Sequence, residues 1–219
     1  MSTPRAILHY IHDPLCGWCY GAQPLVSAAA AMLGDRFELR LHGGGLFAEP
    51  RELTPQMAEH IVHADERIEQ LSGQPFGDAY TEGLLAERGT VLYSLPPIAA
   101  VLAAEALTRD AAYPMLVAIQ NAHYRRGLRV VESDVLVELA EELGLDGAGF
   151  ADALDDAIRH DALEHIQASR RLLGDVGGQG FPTLVLEVHG SYQVVPHQQD
   201  YGRPDAFVER LAARLPVVH

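Results

Sequence analysis

The chain's only two cysteines sit in the stretch Asp13-Pro14-Leu15-Cys16-Gly17-Trp18-Cys19-Tyr20-Gly21, and this stretch constrains the fold more than any other. Before it runs an apolar segment of strand length, residues 6–12. After it comes a helical pattern with Leu25, Ala28, Ala29, Met32 and Leu33 on one face, stopped at Gly34. A Cys-x-x-Cys between a strand and a helix is the spacing of dithiol redox chemistry. A cysteine that opens a helix sits beside backbone N–H groups without an intrahelical partner, near the positive end of the macrodipole. Both favour the thiolate, which is the attacking species. Cys19 lies about one turn further on the same face and can reach the first sulfur. The pattern therefore makes Cys16 the nucleophile and Cys19 the resolving thiol, closing to a redox-active Cys16–Cys19 disulfide.

Other readings of the pair are weaker. Structural zinc wants four N/S ligands, and only two sulfurs exist; His160 and His165 have H-x4-H spacing but lie far from Cys19. No metal site is expected. His60 and His63, beside Glu59 and Glu66, read as a solvated helix face. The loop His42-Gly43-Gly44-Gly45 resembles an esterase oxyanion loop, yet no G-x-S-x-G supplies a nucleophile. It reads as a flexible turn leaving the sheet.

The rest of the chain falls into order around the dithiol. Residues 37–42 alternate as a second strand, making a βαβ unit with its strands parallel. Pro24, beyond the first turn of the intervening helix, removes a backbone hydrogen bond and should kink it. From about Thr54 to Gly144 the pattern is helical throughout. Thr54-Pro55 starts one helix, and residues 79–88 form a short second. Pro96-Pro97 opens a third, with Ile98, Val101, Leu102 and Ala106 on one face. Met115, Leu116, Ile119 and Ala122 mark a fourth, and Ser133 caps a fifth that stops at Gly144. Residues 150–173 add another helix, bent near His160-Asp161. Residues 183–188 and 192–195 form a hairpin about His189-Gly190-Ser191. Pro204 starts a last helix with Phe207, Val208, Leu211 and Leu215 inward. The expected architecture is α/β, a βαβ–ββα thioredoxin fold with an inserted all-helical domain. Residues 1-48 and 150-219 form the thioredoxin-like part, and residues 49-149 the helical insertion.

Three stretches carry a family resemblance: residues 13–21, the loop Gly43-Gly44-Gly45-Leu46, and Gly177-Gly178-Gln179-Gly180-Phe181-Pro182-Thr183-Leu184. In this order they resemble the thioredoxin superfamily, specifically the DsbA-like branch of cytoplasmic, FrnE-related proteins predicted to be disulfide isomerases. The resemblance implies that Pro182 is cis, packs against Cys16 and Cys19, and belongs to the catalytic set. It implies that Phe181 offers its backbone to an extended substrate, with Trp18, Thr183 and Pro14 also at the substrate site. Trp18 either shapes that entrance or packs on the helical domain. Asp13 is either a turn residue before Pro14 or, if close in space, a carboxylate that raises the thiol pKa.

The sequence also departs from its relatives. Trp18 stands where DsbA has a histidine, and Tyr10 replaces the buried acid six residues before the first cysteine. These differences point away from a strong oxidant and towards a reductase or isomerase. No bound cofactor is expected, with glutathione as a candidate electron partner. Two alternatives are a glutathione-dependent isomerase or transferase of the kappa-class type, and a non-enzymatic, redox-switched binding module. The net charge of −14 disfavours nucleic acid and anionic membrane. The apolar runs are too short to span a bilayer, and no signal-type segment precedes the first strand. The expected setting is cytoplasmic, and the expected partners are thiol- or disulfide-bearing proteins or small molecules.

Overall fold

The computed structural model describes residues 6–216; residues 1–5, read above as the lead into the first strand, and 217–219 lie outside them. Strand β1 (Ala6–His12) lies inside a four-stranded sheet of order β2-β1-β5-β6. Its neighbour β2 (Phe37–Gly43) is parallel, from Ala6 opposite Phe37 to His12 opposite Gly43. On its other side β5 (Thr183–Val188) is antiparallel, from Ile7 opposite Glu187 to Ile11 opposite Thr183. The edge strand β6 (Ser191–Val194) turns back on β5 through His189 and Gly190. Both turn residues have positive φ (51° and 78°), as the favoured two-residue hairpin turns require.

Helix α1 (Gly17–Leu33) joins β1 to β2 and buries Leu25, Val26, Ala29 and Leu33. Pro24 stands inside it. A proline there has no N–H for the carbonyl four residues back, Tyr20. That carbonyl accepts instead from the Gln74 side-chain amide at 3.2 Å, so the buried acceptor is satisfied from outside the helix.

Helix α2 (Pro55–Ser72) begins as expected: Thr54 caps it through Met57 N–H at 3.2 Å, with proline in the first turn. It ends at Gly73 with φ 73°. Helices α3 (Leu95–Leu107), α4 (Ala112–Tyr124), α5 (Ser133–Glu142), α6 (Gly147–Asp156) and α7 (Ala162–Asp175) follow, and α8 (Pro204–Ala212) closes the chain. Several details differ from expectation. The short element is a single π-helical turn, Ala79–Leu84, and a second π turn at Ala157–Asp161 occupies the expected bend. Glu132, not Ser133, takes the cap position of α5. Helix α3 buries Ala99, Ala100, Ala103 and Ala104, whereas Ala106 is exposed. The helical segment also holds a two-residue ladder, β3 (Arg51–Glu52) with β4 (Val91–Leu92), too short to leave a periodic pattern.

One apolar core unites Leu8 and Tyr10 of β1, Val26 of α1, Ala103 of α3, Ile119 of α4, Leu154 of α6 and Phe207 of α8. A smaller aromatic cluster, Tyr20, Tyr80 and Tyr124 with Leu53, Leu84 and Leu92, fills the space between α1 and the helices beyond it. The first turn of α1 is thus clamped from two sides.

Candidate active site

The strand register builds the site. Strand β1 runs out at His12, and the chain turns through Asp13-Pro14-Leu15 into Cys16. Strand β5 begins at Thr183, opposite Ile11, so Phe181 and Pro182 arrive beside the same turn. The Phe181–Pro182 peptide is cis. Cys16 takes the cap position of α1 with extended backbone (φ −96°, ψ 112°), and no side chain caps the helix. Its sulfur lies 3.5 Å from the Phe181 carbonyl oxygen.

The two cysteines are free thiols in unequal surroundings. Cys16 is 7% exposed and Cys19 is completely buried. Burial first, then hydrogen bonding and charge repulsion from Cys16, push the Cys19 thiol well above its ordinary range. The Asp13 backbone N–H donates to the Cys19 sulfur at 3.5 Å, which favours the thiolate. The Tyr10 hydroxyl donates to the Cys19 carbonyl at 3.1 Å.

Asp13 is the turn residue, and its charge bears on Cys19. Its carboxylate accepts from Leu15 N–H at 2.9 Å and from Leu46 N–H at 2.6 Å, so it shapes the turn. It is also fully buried, and its charge raises the Cys19 thiol. Desolvation lifts its own pKa to about 6, partly offset by those backbone donors.

The glycine loop is not the expected flexible turn. Gly43, Gly44 and Gly45 are buried, and the Arg170 guanidinium donates to the carbonyls of Gly44 and Gly45. A Cβ on Gly44 would fall 2.1 Å from the Phe181 ring. Position 44 is glycine because Phe181 lies across it.

A cleft of about 870 Å³ opens beside the dithiol, lined by Trp18, Arg67, Leu71 and residues 177–184, 194–199 and 201. Of the expected substrate residues, Trp18, Phe181 and Thr183 line it, together with Pro182. The Thr183 hydroxyl donates to the Gly180 carbonyl at 2.7 Å, so its contribution to the wall is mainly apolar. Pro14 is buried in the turn, outside the lining residues. Trp18 is half-buried; its ring packs on Tyr201 with centroids 5.5 Å apart, and its carbonyl accepts from the Tyr201 hydroxyl at 2.9 Å. Arg67 is the one lysine or arginine among the lining residues.

The histidines singled out earlier stand elsewhere. His60 and His63 are exposed, His63 reaching Glu66 at 3.6 Å. His165 accepts from Gly43 N–H at 2.9 Å. Among the described residues no group of three His, Cys, Asp or Glu is arranged to hold a metal ion, and no helix is long and apolar enough to cross a membrane.

Asp65, Tyr80, Arg67 and Tyr201 were not legible as site residues. Asp65 left one trace, an acid on the inward stripe of α2 with Ile61, Ile68 and Ser72. Charged residues rarely take fully buried positions without a partner.

A model of the DSBA-like thioredoxin domain matches residues 8–211. The structure of cytosolic disulfide reductase DsbM from Pseudomonas aeruginosa is 46% identical with TM-score 0.88, over 95% of this chain and 98% of that one. A DsbM structure with GSH is 45% identical with TM-score 0.86, at the same coverage. A Nitrosomonas europaea protein proposed to be a protein disulfide isomerase is 24% identical with TM-score 0.80, covering 96% of this chain and 97% of its own; that likeness is one of fold. Comparison with curated proteins finds no match.

Proposed function

This chain belongs to the DSBA-like thioredoxin domain family, and we propose that it works there as a reductase or isomerase, with Cys16 attacking and Cys19 resolving. Its reaction class is thiol–disulfide oxidoreduction. One observation carries the assignment of roles: the sulfur of Cys16, a residue 7% exposed, meets the carbonyl of Phe181, which lines the cleft, while Cys19 is wholly enclosed. Only the first sulfur is placed for an outside disulfide.

In the reducing direction the Cys16 thiolate attacks one sulfur of the substrate disulfide. That S–S bond breaks, a mixed disulfide forms, and the other substrate sulfur leaves as a thiolate that takes up a proton. Cys19 then loses its proton, for which Asp13 is the assigned acceptor, because its N–H holds the Cys19 sulfur and its buried carboxylate acts on that thiol. The Cys19 thiolate attacks the Cys16 sulfur and expels the second substrate thiolate. Two electrons have passed to the substrate, and the Cys16–Cys19 disulfide remains. Substrate lies against Trp18, Phe181, Pro182 and Thr183 in this reading.

Glutathione is the assigned electron partner: two molecules return the two electrons and leave as glutathione disulfide. The support is threefold. DsbM, 45% identical, has a structure with GSH. The cleft volume falls within the range of small-molecule sites. Arg67 offers a cation there to a peptide carboxylate. The cytosol, where glutathione keeps thiols reduced, is the assigned setting. A kappa-type transferase, the rival reading, has no use for the second, enclosed thiol beside the first.

The test is disulfide turnover with glutathione as donor, together with the fraction of Cys16–Cys19 disulfide across glutathione redox buffers. Cys16→Ser should abolish turnover. A Cys16→Ser variant that still reduces disulfides sinks the assignment, and a pair that never closes ends the dithiol mechanism.

A further inference from the structure

Helix α2 delivers a carboxylate to the dithiol motif from outside it. Asp65 is 4% exposed, and its Oδ1 lies 2.5 Å from where a Cβ on Gly17 would stand; Ile68 Cδ1 lies 2.9 Å from the same point. Gly17 is the residue after Cys16 and the first of α1. Its lack of a side chain is what admits Asp65. One turn further along α1, a Cβ on Gly21 would stand 2.7 Å from Ile68 Cγ2 and 3.5 Å from Ser72, so α2 is seated along the glycine face of α1.

The carboxylate is held there. The Tyr80 hydroxyl donates to Asp65 Oδ2 at 2.9 Å, and no lysine or arginine pairs with Asp65 among the described residues. Burial raises its pKa to about 7, against the opposing hydrogen bond from Tyr80. The groups facing this corner are Tyr80 from the π turn, Tyr124 of α4, Cys16 and Cys19 at the start of α1, and the buried Asp13 carboxylate, whose charge also reaches Cys19. The Tyr124 hydroxyl, kept protonated by burial, senses Asp65 and both cysteines together. A buried carboxylate with a single donor and no cation is costly for folding alone. Its position is the first turn of α1, whose free N–H groups and positive dipole end favour a thiolate at Cys16.

We propose that Asp65 is the positioning residue that makes this dithiol a reductant: its carboxylate, lent by α2 and seated on Gly17, opposes a thiolate at Cys16 and favours the uncharged disulfide. The inference rests on the dithiol reading above and deepens it. The disulfide state carries no charge at Cys16 and coexists freely with the Asp65 anion. In the reduced state the two negative charges compete for the same helix end, so one proton is shared: Cys16 thiolate with protonated Asp65, or Cys16 thiol with the Asp65 anion. Destabilising the reduced thiolate form lowers the reduction potential and pushes electrons onto the substrate.

The test uses the full chain with Asp65→Asn, which keeps the shape, and Tyr80→Phe, which removes the donor that supports the anion. Thiolate absorbance is titrated in a Cys19→Ser background, so that Cys16 alone is read. The redox equilibrium is measured with both cysteines present in glutathione buffers at about pH 8, where thiols are substantially ionised. In D65N the thiolate signal should appear at lower pH. The equilibrium constant should move roughly three- to tenfold towards the dithiol, tenfold being about 30 mV. Y80F should shift both in the same direction by less. Folded D65N and Y80F with unchanged titration and unchanged equilibrium would overturn the proposal. If D65N does not fold, Y80F decides alone. A parent protein whose cysteines never pair overturns the dithiol reading as well, whereas a pair that closes but ignores both variants defeats only the role of Asp65.

Discussion

The sulfur of Cys16 lies 3.5 Å from the carbonyl oxygen of Phe181, 165 residues further along the chain. The antiparallel register of β1 and β5 brings them together, since Ile11 faces Thr183 and both flanking turns leave the sheet at the same end. The glycine loop after β2 completes the arrangement. Its Gly44 sits under the Phe181 ring, so backbone beyond the sheet sets where the neighbour of Cys16 can lie.

Gly44→Ala should therefore disturb the site as well as the fold. A methyl 2.1 Å from the Phe181 ring must displace it, and overpacking of this kind costs about 1–3 kcal/mol. Urea unfolding should show that loss, and disulfide turnover should fall with it. Adding Phe181→Ala should recover much of the stability but not the turnover. A G44A protein as stable and active as the parent would show that the ring moves aside freely.

Gln74 compensates for Pro24. The Gln74 amide donates to the Tyr20 carbonyl at 3.2 Å and to the Gln23 side chain at 2.6 Å. Gln74→Ala should cost about 1–3 kcal/mol, the range for an acceptor left unpaired. In a Pro24→Ala background the helix can supply its own donor, and the same change should cost less than half as much. A double-mutant cycle reads this directly; equal costs in both backgrounds would refute the link.

Charge reversal at Arg67 tests how the cleft reads its electron donor. Arg67→Glu should raise KM for glutathione roughly tenfold, a charge-assisted hydrogen bond being worth about 1.5–3 kcal/mol, with kcat much less affected. The same variant should barely change KM for an uncharged small thiol. Equal effects on the two thiols would assign Arg67 no part in recognising the carboxylate.

Stability should fall as pH drops from 7 to 5, and the sign follows from five buried groups. Burial holds His12 down to about 3, and His42 and His123 to about 4. The unfolded chain takes up these three protons near pH 6.5, so neutral histidines stabilise the fold above that value, and the contribution is lost as pH falls. Asp13 and Asp65, raised to about 6 and about 7, act oppositely. They add stability in acid that is lost as pH rises through those values. Near pH 5 three histidine protons outweigh two carboxylate protons, so the unfolded state binds more protons and the net slope is positive. Denaturant unfolding at pH 5, 6 and 7 measures it. His12→Gln should reduce the slope by about 1.4 kcal/mol per pH unit, the value of one proton. A parent protein more stable at pH 5 than at pH 7 would reverse the assignment.

The elements nearest the dithiol were legible because their signals are local. An apolar run, a Cys-x-x-Cys and a helical stripe identify β1, α1 and the dithiol between them without knowledge of anything distant. The same holds for Thr54-Pro55 at the start of α2 and for His189-Gly190 between β5 and β6. Where a signal needs several turns or a packed neighbour, reading failed: the ladder of β3 with β4 is two residues long, and Ala106 keeps helical spacing yet faces solvent because α3 is buried along its alanines.

What the sequence determined by itself was the reaction class and the strand–dithiol–helix unit that carries it, because propensity, capping and spacing act within a few residues. Only the tertiary structure decided what surrounds them. Gly44 lies under Phe181, Gln74 answers Pro24, and Asp65 comes to rest on Gly17, each through contacts between segments far apart in the chain. A glycine's missing Cβ or a proline's missing N–H announces a vacancy, but which side chain fills it depends on how whole helices and strands pack to bury their apolar faces.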